Sequence, residues 1–249
     1  MTVHFVGAGP GAADLLTLRA IRLLESADTV LYAGTYLDAE VLSHASADAR
    51  LIDTQHLDLD QITAHLVDAH ERGDDVVRLC SGDPSVYSAL TEQKARLDAA
   101  DVPWDVTPGV PAYAAAAALL GAELTVPEVA QSVVLTRTQA RSTAMPDTES
   151  LARFAASRAT LVLHLAIRHT RRLTGELVEH YGSDCPVAVV YRASQPEQIV
   201  LAGTLSDIAD QVEQAELTQA AVIIVGRSLD AQAPRGSFLY DPARERRRG

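Results

Sequence analysis

The side chains best suited to binding a ligand in this chain are cationic, and they lie in its second half. Arginine binds carboxylates in a bidentate fashion, so a group of arginines near strand ends suits a ligand with several carboxylates. Arg171 and Arg172 are instead interpreted as part of a solvated helix face. The sequence shows no Ser-His-Asp or Cys-His arrangement, and covalent catalysis therefore has no visible nucleophile. The candidate ligand-binding side chains are Arg137, Arg141, His164, Arg168, His169 and Arg192.

A glycine-rich turn near the N-terminus, in VHFVGAGPGAADLLTL, is the second chemical feature. An apolar strand that runs into Gly-x-Gly-x-x-Gly/Ala is typical of dinucleotide-binding folds. However, Pro10 has no N–H group to offer a pyrophosphate. In addition, no acid follows the second strand, which ends at Ala33 and Gly34. We expect the turn to line a ligand cleft, and the alternative is a tight connection without a ligand.

Two later turns, SGDP at residues 81–84 and TPGVPA at 107–112, also follow predicted strands. Ligands of open α/β sheets bind beyond the carboxyl ends of the strands, where glycine lets the backbone approach closely. The first of these turns could therefore bind an adenosine-like ligand through backbone groups. Alternatively, Asp83 is the N-cap of a helix that starts at once, with Pro84 at its first position. The second turn is interpreted as close packing of a small-residue helix.

These turns must be positioned by an α/β framework. Strands alternate with helices up to about Gly121, which predicts a mostly parallel five-stranded sheet. ELTVPE, at 123–128, is the predicted linker. The second half has five strands but only three clear helices, and the short RASQPEQ turn joins two of its strands, so its sheet is predicted to be mixed. The predicted domains span 1–122 and 123–229, before a charged tail at 230–249. The predicted strands are 3–6, 29–32, 50–53, 76–80, 104–107, 132–137, 160–165, 187–192, 198–202 and 221–225, and the later helices are 149–157, 169–181 and 206–215.

Charge and composition restrict the partners. A formal net charge of -12 argues against a nucleic-acid partner. Cys80 and Cys185 lie far apart in apolar stretches, which fits a reducing compartment. Neither a basic leader nor an apolar run of ~20 residues is present, so we expect a cytoplasmic protein without a membrane partner. The closest histidine pairs, such as His65 and His70, do not share a helix face, and no metal is expected.

Four stretches, taken in order, resemble the cobalamin-pathway tetrapyrrole methyltransferases, which use S-adenosylmethionine. They are VGAGPGAADLLTLRAIRLLESADTVLYAG, VVRLCSGDPSVYSAL, VTPGVPAYAAAAALLGAELTVPE and VAVVYRASQPEQIVLAGTL. LYAGTYLD and PEVAQSVVLTR are closest to the precorrin-4 C11-methyltransferase branch of that family. The resemblance covers the chain to about residue 229.

This resemblance implies two α/β domains with S-adenosylmethionine in the cleft between them, and a homodimer. Mostly backbone and apolar contacts would suffice, because a sulfonium methyl donor needs a positioned nucleophile more than an acid. Gly9, Arg137, Arg141, His164 and Arg192 are the candidate substrate contacts, the cationic ones for acetate and propionate arms. The cofactor contacts that the resemblance implies are Pro10, Ser81, Gly82, Asp83, Val86, Tyr87, Pro111, Ala112, Leu165, Ala193 and Ala221.

The chain departs from that branch at two places. Pro111 and Ala112 stand where the branch usually has two serines, and TQAR stands where it has Leu-Glu-Gly-Arg, which keeps only Arg141. Both changes concern the substrate position more than the cofactor site.

The expected reaction is methyl transfer to C11 of precorrin-4, or of its cobalt form, to give precorrin-5, by in-line attack of the ring carbon. One alternative is methylation at another carbon of a precorrin or of uroporphyrinogen. A relative that modifies ribosomal RNA or a translation factor is another, and the acidic charge disfavours RNA. A nicotinamide oxidoreductase and a carrier without turnover are the remaining alternatives.

Overall fold

The computed structural model describes residues 1–34, 37–138 and 144–231. The chain divides into two compact units. Unit 1 comprises Met1–Ala116 with Arg192–Gln198, and unit 2 comprises Ala117–Tyr191 with the chain from Ile199 onward. Each unit contains one five-stranded sheet, which confirms the predicted α/β class. The domain boundary at residue 122 and the cleft between the domains stay predictions.

Unit 1 is built on a wholly parallel sheet in the order β3-β2-β4-β1-β5. Its central strands are buried on both faces, as expected when helices cover a parallel sheet from both sides. On one face Val6 and Val77 pack with Leu24, and on the other Phe5 packs with Leu66. The strands are β1 Val3–Gly7, β2 Thr29–Tyr32, β3 Arg50–Asp53, β4 Val76–Cys80 and β5 Trp104–Thr107, and the helices are α1 Leu18–Ser26, α2 Ala39–Leu42, α3 Leu59–Glu71, α4 Leu90–Ala99 and α5 Ala112–Leu120, the last of which continues into unit 2.

Local signals explain where two of these helices begin. Asp58 caps α3 by accepting a hydrogen bond from the Gln61 N–H, while the Gln61 side chain accepts one from the Asp58 N–H. Thr17 caps α1 through its hydroxyl, and a short 3-10 turn at Ala13–Leu15 comes before it. The glycine-rich turn therefore reaches its helix through an additional turn of chain.

Unit 2 contains a mixed sheet in the order β6-β7-β10-β8-β9. The β6 and β7 strands are parallel, β10 is antiparallel to both of its neighbours, and β8 and β9 form the antiparallel pair predicted from the short RASQPEQ connection. Leu163, Val189 and Ile223 of adjacent strands share a core with Leu173 and Leu177. The strands are β6 Val133–Arg137, β7 Thr160–His164, β8 Pro186–Tyr191, β9 Ile199–Thr204 and β10 Ala221–Val225, and the helices are α6 Leu151–Ala156, α7 Thr170–Tyr181 and α8 Ile208–Gln214.

The predicted linker, ELTVPE, is anchored within unit 2. The buried Thr160 hydroxyl donates a hydrogen bond to the Leu124 carbonyl at 2.7 Å and lies 2.8 Å from the Ser228 hydroxyl. A buried hydroxyl needs such partners, so this contact holds the segment beside β7. Among the helices in the described part of the chain, none is long and apolar enough to cross a membrane.

Candidate functional site

The three turns singled out in the sequence meet at the carboxyl edge of the unit 1 sheet, because β4, β1 and β5 are neighbours there. Gly9 and Gly82 exchange two backbone hydrogen bonds, at 3.1 and 2.7 Å. A Cβ on Gly7 would lie 2.4 Å from the Gly109 nitrogen, and a Cβ on Gly109 would lie 2.3 Å from the Gly82 oxygen. Glycine is therefore required by close backbone approach, which brings the three turns into one surface.

Asp83 joins two of these turns through its carboxylate. One oxygen accepts a hydrogen bond from the Gly109 N–H at 2.8 Å, and the other accepts from the Ser85 N–H at 2.8 Å and from the Ser85 hydroxyl. Burial would raise the pKa of this carboxyl, but the three hydrogen bonds outweigh burial and hold the pKa below its ordinary value. We therefore expect Asp83 to be ionised at neutral pH.

The N-cap interpretation of Asp83 is wrong. Residues 84–88 form turns and bends, and α4 does not begin until Leu90. The reason is that Tyr87 and Ala89 adopt left-handed backbone conformations, through which a right-handed helix cannot continue. A loop thus stands where the sequence predicted the first turn of a helix.

That loop carries two predicted cofactor contacts, Val86 and Tyr87, in a strained conformation. Tyr87 and Ala89 both adopt φ of 53°, the left-handed region that residues with a Cβ seldom occupy. The Tyr87 residue is 47% exposed, although it is large and mostly apolar. Strain of this kind persists only where surrounding contacts impose it, and it is common at ligand sites.

Most backbone N–H groups of the glycine-rich turn already donate hydrogen bonds within the protein. Ala8 donates to the Cys80 carbonyl at 2.8 Å, and Gly9 donates to Gly82. Ala12 donates to the Ser194 hydroxyl at 3.1 Å. Since Pro10 has no N–H group, this turn lacks the cluster of donors that a pyrophosphate requires.

Gln195, next to Ser194 in the chain, also contacts the glycine-rich turn. The Gln195 amide donates to the Pro10 carbonyl at 3.2 Å, and a Cβ on Gly11 would lie 2.3 Å from the Gln195 Cγ. A cavity of about 510 Å³ beside Ser194 is lined by the carboxyl-bearing residues Asp14, Asp38 and Glu40, among others. Three acids beside the turn also disfavour an anionic nucleotide there.

A dinucleotide site would have an acidic residue at the end of β2. The sequence has none there, but the neighbouring strand β3 places one beside it. Asp53, at the end of β3, accepts a hydrogen bond from the Gly34 N–H at 3.2 Å and from the Gln55 N–H at 2.9 Å. The sequence shows only the residues that follow β2 itself. The pairing of Tyr32 with Asp53 brings the Asp53 carboxylate beside the end of β2.

In unit 2, the predicted residues Arg137 and His164 are partners in the parallel register of β6 and β7. Burial lowers the pKa of His164, so its imidazole is neutral at pH 7. Leu165 follows with φ of 53° and is 65% exposed. Ala221 begins β10 opposite Tyr191, at the same edge of the sheet. These residues form one candidate surface within unit 2.

Two predicted strands end one residue early for a shared reason. β7 stops before Leu165 and β8 stops before Arg192, whose φ is 45°. A left-handed residue cannot continue a strand. Arg192 has an ion pair with Glu197 at 3.5 Å, and Ala193 is buried within unit 1.

The remaining cations take separate positions. Arg141 lies outside the described residues. The Arg168 guanidinium donates to the Thr218 carbonyl at 2.8 Å. Arg171 pairs with acids of α8, and Arg172 pairs with Glu176 on its own helix, which agrees with a solvated helix face.

Sequence reasoning missed four residues that support the unit 1 surface. Ser194 and Gln195 are ordinary polar residues in a turn, and no local pattern marks their contact with the glycine-rich turn. Arg78 and Gln93 form a buried pair, with Nε of Arg78 donating to Oε1 of Gln93 at 3.3 Å. The signal for Arg78 was available, because a charged residue inside the apolar strand VVRLC needs an explanation.

Fold and site together define a two-unit α/β protein whose candidate site is built largely from backbone and apolar groups at strand ends. The family model for tetrapyrrole (corrin/porphyrin) methylases matches residues 2–209. The chain belongs to this family, which confirms the resemblance drawn from the sequence.

Individual relatives agree over nearly the full length. The Rhodococcus erythropolis protein named "Precorrin-4 C(11)-methyltransferase" is 53% identical over 99% of this chain and 99% of its own. The X-ray structure of a cobalamin biosynthetic enzyme, cobalt precorrin-4 methyltransferase, matches with a TM-score of 0.89 and 33% identity, over 92% of this chain and 96% of that one. Uroporphyrin-III C-methyl transferase from Thermus thermophilus, complexed with S-adenyl homocysteine, matches with a TM-score of 0.77 and 30% identity, over 92% of this chain and 99% of that one.

Proposed function

We propose that this protein transfers a methyl group from S-adenosylmethionine to C11 of precorrin-4, giving precorrin-5 in cobalamin biosynthesis. The observation that carries the proposal is the whole-length similarity to the Rhodococcus relative, whose name specifies both the substrate and the carbon. The close structural likeness to a cobalt precorrin-4 methyltransferase supports the same substrate class. A nicotinamide oxidoreductase is disfavoured because the glycine-rich turn has too few N–H groups available for a pyrophosphate.

The proposed methyl-donor site in unit 1 uses the edge where the three turns meet. Backbone groups of Ser81 and Gly82, together with the side chains of Val86 and Tyr87, would contact the adenosine part, and Asp83 would hold their turns in place. Backbone donors and acceptors beside apolar side chains are suited to a nucleoside. The Thermus thermophilus neighbour, which binds S-adenyl homocysteine, supports this choice of ligand. Pro10, Pro111, Ala112, Leu165, Ala193 and Ala221 complete the proposed set.

The proposed substrate contacts supply cations for the acetate and propionate arms of a tetrapyrrole. Arg137 and Arg192 suit carboxylates because guanidinium binds them in a bidentate fashion. Arg141 is kept in this set from the sequence. A neutral His164 can donate or accept one hydrogen bond without adding charge. Gly9 offers a surface without a side chain, which suits a large flat ring.

The methyl transfer requires little from the protein beyond correct placement of the methyl donor and the ring carbon. Bound S-adenosylmethionine supplies an activated methyl group, whose bond to sulfur breaks as the bond to the ring carbon forms. The chain's part is to orient the two reactants, exclude water and fix the carboxylate arms. No side chain of this site is assigned as a general base.

The decisive experiment incubates the protein with S-adenosylmethionine and precorrin-4 and follows the product by mass spectrometry. A gain of one methyl group is expected, and methyl-labelled donor with carbon NMR then identifies the ring carbon. A methyl at another carbon would replace the C11 assignment with the alternative family activity. NAD binding without any methyl gain would overturn the proposal.

A matched pair of variants tests the substrate surface. Arg137→Ala should raise KM for the tetrapyrrole while the Kd for S-adenosylhomocysteine stays unchanged, because Arg137 would contact only the carboxylate arms. Arg153→Ala, on the exposed face of α6, is the control and should change neither constant. An unchanged tetrapyrrole KM in Arg137→Ala would remove Arg137 from the proposed set.

We also propose that the protein acts as a cytoplasmic homodimer, as the resemblance implies. Light scattering on the full chain should give twice the 26.6 kDa of one chain. A mass of 26.6 kDa at working concentration would contradict the dimer.

A further inference from the structure

Arg78 is a cation in the middle of the central strand β4 and is only 9% exposed. Its Nε donates to Gln93 Oε1 at 3.3 Å and its Nη1 donates to the Thr54 hydroxyl at 3.0 Å. Within the described part of the chain, the guanidinium forms no ion pair with a carboxylate. Burial lowers the pKa of Arg78, which reflects the cost of keeping this charge out of water.

Both hydrogen-bonding partners of Arg78 also form hydrogen bonds at the carboxyl edge of the sheet. The Thr54 hydroxyl donates to the Tyr32 carbonyl at 2.9 Å, at the end of β2. The Gln93 amide donates to the carbonyls of Ser88 and Ala89, at 3.1 and 3.2 Å. A continuous polar network therefore runs beneath this edge from β2 to the loop at 84–89.

The loop needs an external support of this kind. It contains two left-handed residues, Tyr87 and Ala89, and α4 begins after Ala89 without a side-chain cap. The Ser88 hydroxyl donates to the Pro84 carbonyl, and the Gln93 amide donates to the carbonyls of Ser88 and Ala89. Strained backbone persists only where its surroundings impose it, and Gln93 supplies two of the hydrogen bonds that do so here.

Stability alone does not explain why a charge occupies this position. Replacing a whole buried network of charged and polar side chains by well-packed apolar ones is often neutral or stabilising, because no charge has to leave water. Arg78 contributes geometry instead, since its planar guanidinium orients the Gln93 oxygen and so directs the Gln93 amide nitrogen toward the loop.

We propose that Arg78 and Gln93 are positioning residues that hold the 84–89 loop in the conformation that presents Val86 and Tyr87 to the methyl donor. The proposal rests on the proposed function for its ligand. Neither side chain would contact the ligand, and both would act through the loop.

Three variants separate positioning from general stability. Gln93→Leu removes the side-chain hydrogen bonds of Gln93 to Arg78, Ser88 and Ala89. Gln93→Glu keeps an acceptor for Arg78 but removes the donor toward Ser88 and Ala89. Thr29→Val is the control, because Thr29 is fully buried in the same sheet and its hydroxyl donates to Asp74 at 2.7 Å, on the opposite edge.

Hydrogen exchange of the amides at 85–89, measured on the full chain without ligand, should be about tenfold faster in both Gln93 variants and unchanged in Thr29→Val, as expected when one or two supporting hydrogen bonds are lost. The Kd for S-adenosylhomocysteine should rise by a similar factor of about ten in the Gln93 variants and stay unchanged in Thr29→Val. The KM for the tetrapyrrole should stay near the wild-type value. Arg78→Met should produce the same pattern, and Arg78→Lys should recover part of the affinity.

Wild-type exchange at 85–89 in the Gln93 variants would overturn the proposal. So would an equal loss of S-adenosylhomocysteine affinity in Thr29→Val, because the effect would then follow overall stability. If the wild-type protein binds no S-adenosylhomocysteine, the proposed function fails, and the exchange rates still decide whether Arg78 and Gln93 hold the loop.

Discussion

Replacing Asp83 by asparagine tests how the turns of unit 1 are held together. In the wild-type protein one carboxylate oxygen accepts from the Gly109 N–H and the other from Ser85. An asparagine has only one oxygen, so its NH₂ group must face one of these N–H donors, whichever way it is placed. One backbone N–H group then loses its acceptor, and the charge that strengthened the remaining hydrogen bonds disappears.

The expected loss of stability follows from the one lost hydrogen bond and the lost charge. A hydrogen bond to a charged group contributes about 1.5–3 kcal/mol, and partial solvation of this carboxyl favours the lower end. We therefore expect Asp83→Asn to lower the free energy of unfolding by about 2 kcal/mol and the melting temperature by roughly 4–8 °C. The Kd for S-adenosylhomocysteine should rise about tenfold, equivalent to ~1.4 kcal/mol, because the two turns separate.

The pH dependence gives a second measurement. The folded-state pKa of Asp83 lies below its ordinary value of 3.8, so its stabilisation is fully present above that value and is lost as the pH falls through the folded-state pKa. The difference in unfolding free energy between wild type and Asp83→Asn should therefore be constant near neutral pH and shrink as the pH falls below about 4. Urea unfolding at several pH values measures it.

Asp74→Asn is the matched control. Asp74 accepts hydrogen bonds from the Thr29 hydroxyl and from Arg72 at the opposite edge of the same sheet, and the Thr29 hydrogen bond is the largest cause of its lowered pKa. Its replacement should lower stability without changing ligand affinity. An Asp83→Asn protein with wild-type stability, or with the same affinity as Asp74→Asn, would refute the reasoning.

Three further outcomes are expected. Gly109→Ala should destabilise the protein by several kcal/mol in chemical unfolding, because its Cβ would overlap the Gly82 oxygen, whereas Gly175→Ala in α7, with nothing within 4 Å, should stabilise it by about 0.5–1 kcal/mol. Equal effects of the two changes would contradict the close approach. Burial raises the pKa of Cys80 to about 11, so its thiol should react with a thiol reagent at neutral pH only after unfolding. Arg171→Ala should leave the unfolding midpoint unchanged at physiological salt, because its ion pairs are exposed, and a clear decrease would show that they stabilise the fold.

The strands and the class of fold were predictable because their signals are local. The predicted strands at 29–32, 50–53, 76–80, 104–107 and 221–225 have the bounds observed in the structure. An apolar run between turn residues marks a buried strand through the chemistry of its own side chains. The short RASQPEQ connection likewise predicted an antiparallel pair, because a long crossover would not fit.

Which residues meet at the site was not predictable in the same way. Asp83 had two plausible roles in the sequence, and neither of them indicated its hydrogen bond to Gly109, 26 positions further on. Gly34 receives its acid from Asp53 only because β2 and β3 are neighbours. Arg78 could be seen to need a partner, but periodicity could not show that the partner is Gln93.

The sequence by itself determined most of the strands, the three glycine turns and the family. The tertiary structure alone decided the order of the strands, and with it which side chains and carbonyls become hydrogen-bonding partners. The physical reason is that a strand's own pattern encodes which of its faces is buried but not which strand lies beside it. Contacts made across strands, such as those of Asp83 and Arg78, therefore exist only once the sheet has formed.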